Sequence, residues 1–365
     1  MYELIQAKGG SYYIESPAKV GLVQLGGDRV CLIDSGSDKD AGRKVRQHLD
    51  ANGWRLTAIY NTHSNADHIG GNQYLQKQTG CAIYAPGMEQ CVTCHTVLEP
   101  SLLYGGCPPK ALRNKFLMAQ ESQAQLLTAE VLPEGWELLP LPGHFLDMVG
   151  FRTGDDVVYL ADCLASRETL DKYGIAFLYD VGAYLETLER VKTMEAALFV
   201  PSHAAAAEHI APLAQYNIDR TQEAAERIAG LCTGVTFDEV LAGVFKTYGL
   251  EMSLPQYALL GSTVKSYLSY LMDRGEITAE AEHIAPLAQY NIDRTQEAAE
   301  RIAGLCTGVT FDEVLAGVFK TYGLEMSLPQ YALLGSTVKS YLSYLMDRGE
   351  ITAEAEDCRI IWRRV

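Results

Sequence analysis

Residues 62–68 read Thr62-His63-Ser64-Asn65-Ala66-Asp67-His68 and run on into Gly70-Gly71-Asn72. Two imidazoles and a carboxylate fall within six residues, directly after the apolar run Leu56-Thr57-Ala58-Ile59-Tyr60. A strand that ends in a tight loop can turn all three side chains toward one point. Imidazole with carboxylate suits zinc, iron or manganese, provided the ligands are deprotonated and oriented by hydrogen bonds behind them.

Three further residues of the same kind lie downstream. His144 follows Leu139-Pro140-Leu141-Pro142-Gly143, Asp162 follows Val157-Val158-Tyr159-Leu160-Ala161, and His203 follows Ala197-Leu198-Phe199-Val200-Pro201-Ser202. Each reads as a hydrophobic strand ending in a ligand, the placement at which α/β proteins assemble active sites.

The order and context of these residues resemble the metallo-β-lactamase superfamily, whose motif is His-x-His-x-Asp-His followed by a distant His, Asp and His. The resemblance covers about residues 1–205. It implies two metal sites that share a carboxylate. His63 and His144 would belong to the first, Asp67, His68 and His203 to the second, and Asp162 would bridge them. The motif's second histidine is Asn65 here, and an amide oxygen binds a transition metal more weakly than imidazole. The first site is therefore expected to be empty, weakly filled or a three-ligand site of His63, His144 and Asp162, with Asn65 a weak or lost ligand. The second keeps its full set.

The function expected from this reading is metal-dependent hydrolysis of a small ester, thioester, lactone or lactam by a metal-activated water, which Asp67, the expected catalytic residue, would orient. The cofactor would be one or two zinc ions, with iron or manganese as alternatives. Ser-His-Asp catalysis is not expected, because the histidines are committed to metal. Two other readings stay open. His63, His144 and Asp162 are the two histidines and one carboxylate of mononuclear non-haem iron, the layout of the superfamily's persulfide dioxygenases. Or the chain is a ribonuclease-like, nucleic-acid-binding protein built on a degenerate site. No substrate-binding residues can be named.

The chain has 365 residues, 48% hydrophobic and 21% charged, the composition of an ordinary globular protein with room for two or three cores. No run of 18 apolar residues is present, and the N-terminus has neither a basic nor an apolar leader region. A cytoplasmic location is expected, with the nine cysteines reduced. Cys91-Val92-Thr93-Cys94-His95 matches a c-type haem attachment pattern, but free thiols in a loop are the favoured reading, ahead of an accessory metal site with Cys107. His48, His209 and His283 are expected at the surface. The net charge of −16 favours a small-molecule substrate over nucleic acid.

Among the elements that must position these residues, a repeat stands out: residues 207–280 recur without a change as 281–354. Solenoid repeats drift between copies, so complete identity points to a recent or deliberate duplication. The expected domains are a catalytic one over 1–206, a helical module over 207–280, and the second copy with a closing strand over 281–365. The expected fold is α/β, a four-layer αββα metallo-β-lactamase sandwich, followed by an all-helical, winged-helix-like C-terminal region. Within it, periodicity predicts helices over 38–52, 68–78 and 180–194, and strands over 136–141, 148–152, 157–161 and 197–201. Each copy reads as helices, in the first over 211–230, 236–248, 253–260 and 262–274, with Thr236 and Ser262 as N-caps and a strand from Ile277. Residues 86–125, rich in Pro and Gly, read as a lid or substrate loop in which Leu102, Leu103, Tyr104, Phe116, Leu117 and Met118 could line a pocket. The helical modules are expected to shape the active site or to mediate a homodimer.

Overall fold

The computed structural model describes residues 2–279, 285–356 and 359–365. They divide into two compact units that meet between Thr278 and Ala279. His283 and the 280/281 junction lie outside the described residues.

Among the described residues of the first unit, seven strands form one sheet: β1 (Glu3–Lys8), β2 (Ser11–Glu15), β3 (Val20–Gln24), β4 (Arg29–Ile33), β5 (Arg55–Tyr60), β6 (Ala82–Ala85) and β7 (Ala124–Leu126), in chain order. The first four run antiparallel; β4 to β7 are parallel. A second sheet holds β8 (Glu137–Pro140), β9 (Val149–Arg152), β10 (Val157–Ala165) and β11 (Leu198–His203), ordered β11-β10-β9-β8.

Side chains alternate across each strand, and the alternation builds the layers. Cys31 and Ile33 point between the sheets, where they pack with Phe151, Val157, Tyr159 and Val200. Val30 and Leu32 point the other way, onto Val45 and Leu49 of α1 (Lys39–Asn52). Val158 and Leu160 face outward from the second sheet toward Leu188 of a helix over Val181–Lys192. The result is helix, sheet, sheet, helix.

The remaining helices of the unit are α2 (Ala66–Ile69), α3 (Asn72–Thr79), α4 (Gly87–Cys94), α5 (Leu98–Tyr104), α6 (Arg167–Tyr173), α7 (Val181–Lys192), α8 (Ala211–Leu231), α9 (Phe237–Thr247) and α10 (Leu254–Asp273). Helices α8 to α10 bury Ile218, Val240, Leu260 and Tyr267 in the same core as β10 and α7. Several expectations need correction. The helix expected over 68–78 is two, because Gly70 and Gly71 lie so close to the turn after β4 that a Cβ would meet Ser37 and Ser35 backbone at 2.3 Å. The two helices expected over 253–274 are one, α10, capped by Ser253. Ser262 lies inside it, because buried residues continue on one face from Ala258 to Leu271. Cys91 and Cys94 sit on α4 rather than in a loop, and neither they nor Cys107 joins a ligand cluster among the described residues. His48 is half-buried, its Nε2 2.8 Å from the Tyr2 carbonyl, whereas His209 is exposed. Among the described residues no helix is long and apolar enough to cross a membrane.

The second unit carries α11 (Ala285–Leu305), β12 (Thr307–Thr310), α12 (Phe311–Thr321), α13 (Leu328–Asp347), β13 (Ile351–Glu356) and β14 (Arg359–Arg364). Its three strands order as β12-β14-β13, all antiparallel. A separate core of Ile302, Val314, Leu315, Val318, Leu342 and Ile351 holds it. The strand expected from Ile277 does not form in the first copy; its counterpart does form in the second, from Ile351.

Candidate metal centre

His63 lies in the loop between β5 and α2 and His68 within α2, and both are fully buried. Asp34, at the end of β4 with φ +62°, orders this loop. Its Oδ1 accepts from the Thr62 amide at 2.8 Å and its Oδ2 from the Thr62 hydroxyl at 2.7 Å. Asp34 Oδ2 also lies 2.8 Å from His68 Nδ1. The Thr62 hydroxyl is 2.9 Å from His63 Nδ1, and the Pro17 carbonyl is 2.8 Å from His203 Nδ1. With Nδ1 engaged behind each ring, Nε2 is the atom left to face the cleft.

Asp162 was expected to end a strand. It lies inside β10 instead, next to Ala161, whose φ of +49° is rare for a residue with a side chain. The pairing of β10 with β11 slips on both sides of Ala161. That bulge re-aims the strand, a device found beside active sites. His203 is the last residue of β11. His144 follows Gly143, where a Cβ would lie 2.3 Å from Cα of Tyr184; only glycine lets the loop pass so close to α7.

Two groups of donor atoms result, sharing Asp162: His63, His144 and Asp162, and Asp67, His68, Asp162 and His203. In the second, His68 Nε2 is 3.0 Å from Asp162 Oδ1, His203 Nε2 is 3.1 Å from Asp162 Oδ2, and Asp67 Oδ2 is 3.3 and 3.9 Å from His203 and His68. In the first, Asp162 Oδ2 is 3.5 Å from His144 Nε2 and 4.0 Å from His63 Nε2. Two ligands on one ion, each about 2.1 Å from it, lie about 3.0–3.4 Å apart. Buried His63 Nε2 has no hydrogen-bond partner, and His68 Nε2 and Asp162 Oδ1, although 3.0 Å apart, are not aligned as a hydrogen bond. Buried polar atoms are rarely left so, and these residues fit a divalent cation.

The electrostatics agree. Burial opposes a charge on His203, yet Asp162 and Asp67 push its pKa up to about 10. Burial likewise opposes charge on His68, and Asp162 and Asp67 overcome it and raise its pKa well above the ordinary imidazole range. His63 goes the other way: burial and the neighbouring His68 hold it well below that range. Carboxylates that stabilise positive charge this strongly would stabilise a metal ion in its place.

Sequence reading missed two residues that reach the centre from residues 86–125. Glu99, buried on α5, accepts from Asn65 Nδ2 at 2.8 Å. That bond turns Asn65 Oδ1 to 3.1 Å from His144 Nε2, and leaves Asn65 without the capping bond a residue before a helix usually makes. Glu89, buried on α4, accepts from the Ser64 amide and hydroxyl and from the Asp147 amide. Burial pushes its pKa up to about 7. Neither glutamate differs in sequence pattern from a surface acid; only packing identifies them. Asp34 carried a weak signal, an acid closing a hydrophobic strand before Ser35-Gly36.

Two cavities open from the centre. One, of about 310 Å³, is lined by Leu103, Lys115, Phe116 and Leu117 beside Asn65 and Asp67. Leu102, Tyr104 and Met118, expected alongside them, do not line it. The other, of about 540 Å³, reaches from His144, Asp162 and His203 to α6 and α10.

The family model of the metallo-beta-lactamase superfamily matches residues 14–203. A hydroxyacylglutathione hydrolase of Bradyrhizobium sp. (strain ORS 278) is 30% identical over 128 residues, 35% of this chain and 41% of the relative. The hydroxyacylglutathione hydrolase of Pseudomonas entomophila (strain L48) is 27% identical over 162 residues, 44% and 51% respectively. The chain thus spans about half the length, or less, of these relatives. Among solved structures, a beta-lactamase domain protein from Burkholderia ambifaria superposes with a TM-score of 0.60 at 17% identity, covering 77% of this chain and 92% of its own. A metallo-beta-lactamase family protein from Thermus thermophilus gives 0.56 at 18%, covering 73% and 94%.

Proposed function

The chain belongs to the metallo-beta-lactamase superfamily, and from that membership we propose a metal-dependent hydrolase of a small ester, thioester, lactone or lactam. The observation that carries this reading is the pair of donor groups joined at Asp162, with the Nδ1 atoms of His63, His68 and His203 engaged and buried donor atoms left without a hydrogen bond. His63, His144 and Asp162, with Asn65 Oδ1 beside them, would hold a first ion. Asp67, His68, His203 and Asp162 would hold a second. An ion there supplies Lewis acidity, making water a nucleophile near neutral pH and stabilising charge on a carbonyl oxygen. Asp67 is the most open member of its group, and its carboxylate would accept a hydrogen bond from the attacking water and aim it. The relatives' name, hydroxyacylglutathione hydrolase, supports a thioester or ester over an amide.

A second reading rests on the first group alone. His63, His144 and Asp162 supply two imidazoles and a carboxylate, the arrangement of mononuclear iron. We keep 1–206 as the module that carries the candidate ligands, with the first helical copy packed into its core and the second copy as an addition. The helix–strand–helix–helix–strand–strand order of the second unit supports a winged-helix-like reading, with interaction rather than nucleic-acid binding as its role in so acidic a chain. Elemental analysis of protein purified without added metal decides between the first two readings. Zinc or manganese with ester or thioester turnover supports the hydrolase, and Asp162→Ala should then lose both metal and turnover. Iron at one per chain with oxygen uptake, and no hydrolysis by the zinc-loaded protein, would overturn it.

A further inference from the structure

The larger cavity constrains the substrate of this site. It starts at His144, Asp162 and His203 and is walled by Leu164, Ile175, Leu178, Tyr184 and Leu260, all buried. The polar lining residues Thr169, Tyr173, Ser253 and Gln256 lie on α6 and at the start of α10, and the one polar group of the buried wall, the Tyr184 hydroxyl, is already engaged. Tyr184 donates its hydroxyl to Asn217 Oδ1 at 3.1 Å, and Asn217 Nδ2 donates to the carbonyls of Ala165 and Leu213. The buried part of the wall therefore offers carbon rather than hydrogen bonds. Among the described residues no Lys or Arg lines this cavity, and apart from the candidate ligands its one charged side chain is Glu251, exposed at the rim. The smaller cavity has one cation, Lys115, and Asp38 already pairs with it at 3.1 Å.

A glutathione thioester carries two carboxylates and one ammonium, a net charge of −1 that cationic partners would have to hold against acidic surroundings. Among the described residues that line the two cavities, Lys115 is the one Lys or Arg, and it is exposed and already paired with Asp38. From the apolar wall, its continuity with the metal centre and this charge balance, we propose that the site hydrolyses an uncharged ester, thioester or lactone whose acyl arm is an extended hydrocarbon chain lying in the larger cavity. Helix α10 and Leu250 before it complete that wall, so the first helical copy serves as part of the substrate pocket. The proposal rests on the hydrolase reading for the chemistry, but not for the binding.

The test uses the full chain with zinc restored. Thioesters of N-acetylcysteamine with acyl chains of two to ten carbons are compared with S-lactoylglutathione. Burying one methylene contributes about 0.8 kcal/mol, so kcat/KM should rise about threefold to fourfold per added carbon until the cavity is full. Leu259→Trp, which intrudes on the cavity from α10, should lower the ratio of eight-carbon to two-carbon kcat/KM at least about tenfold. Binding of octanamide is measured separately by calorimetry, in wild type and Leu259→Trp. No turnover of any thioester, with octanamide bound by wild type and weakened by Leu259→Trp, would remove the hydrolase reading and keep the apolar arm. Turnover that is flat in chain length, or fastest on the glutathione thioester, would overturn this proposal and leave the hydrolase reading standing. Absence of both turnover and octanamide binding would overturn both.

Discussion

At the scale of single residues, Asn65 decides what kind of first site this chain can have. Glu99 accepts from its Nδ2, so the oxygen is the end turned toward His144. Asn65→His should raise first-site occupancy, because imidazole binds borderline metals better than an amide. Equal metal content of the two proteins under limiting zinc would count against this. Glu99→Ala frees the amide to rotate. It should weaken first-site affinity about tenfold or more, the usual scale for a residue that orients a ligand, while Glu99→Gln keeps an acceptor and most of the affinity. Competition with a chelator reads both variants. The histidines set the pH dependence. His68 and His203 have raised pKa values, that of His203 about 10, so both carry a proton below that range in the metal-free protein. A metal must displace those protons. Affinity should therefore rise from pH 6 to pH 9, and calorimetry in buffers of different ionisation enthalpy should show proton release. Affinity that falls with rising pH in that window would contradict the assignment of these ligands.

At the scale of elements, the site depends on irregularities. The bulge at Ala161 aims Asp162, and the tight loop at Gly143 delivers His144. Regular elements then hold the walls. Helix α9 begins with a capping box, in which the Thr236 hydroxyl and the Glu239 carboxylate serve each other's backbone amides. Thr236→Ala should destabilise the first unit by about 1 kcal/mol. The same cap recurs at Thr310 and Glu313 in the second unit. Thermal unfolding of each single variant should show comparable losses, each in its own unit. A Thr236→Ala protein as stable as wild type would mean that α9 is held by Val240, Val244 and Phe245 alone.

At the scale of the molecule, one sequence appears twice in two settings. Thr233-Gly234-Val235-Thr236 is irregular, yet the identical Thr307-Gly308-Val309-Thr310 is strand β12, because β14 lies beside it. Leu259 is half-buried against Leu103 and Leu117, whereas its counterpart Leu333 is 71% exposed. Among the described residues, every member of the two donor groups lies in the first unit. Deleting 281–354 should therefore leave a folded protein with its metal content unchanged, read by circular dichroism and elemental analysis. An unfolded or metal-free deletion protein would show that the copies are not redundant.

The metal-site candidates and the layered architecture were readable from sequence for a local reason. Short-range spacing fixes which side chains a strand end can present, and period-two alternation fixes which face is buried. His63, Asp67 and His68 needed six residues of context, and the helices of the repeated segment needed only their own periodicity. Asp162 was found for the right residue type but placed at a strand end, because a bulge is invisible until β11 supplies the register that it breaks. Glu89 and Glu99 are acids in a Pro- and Gly-rich stretch, and nothing local says that they are buried and bonded to Ser64 and Asn65. Strand β12 depends on a partner 51 to 56 residues away, so the two copies share their helices but only the second forms β12 among the described residues. Local chemistry chose the ligand candidates and the helices; long-range pairing and burial chose the bulge, the acids behind the ligands, and which copy could build a sheet.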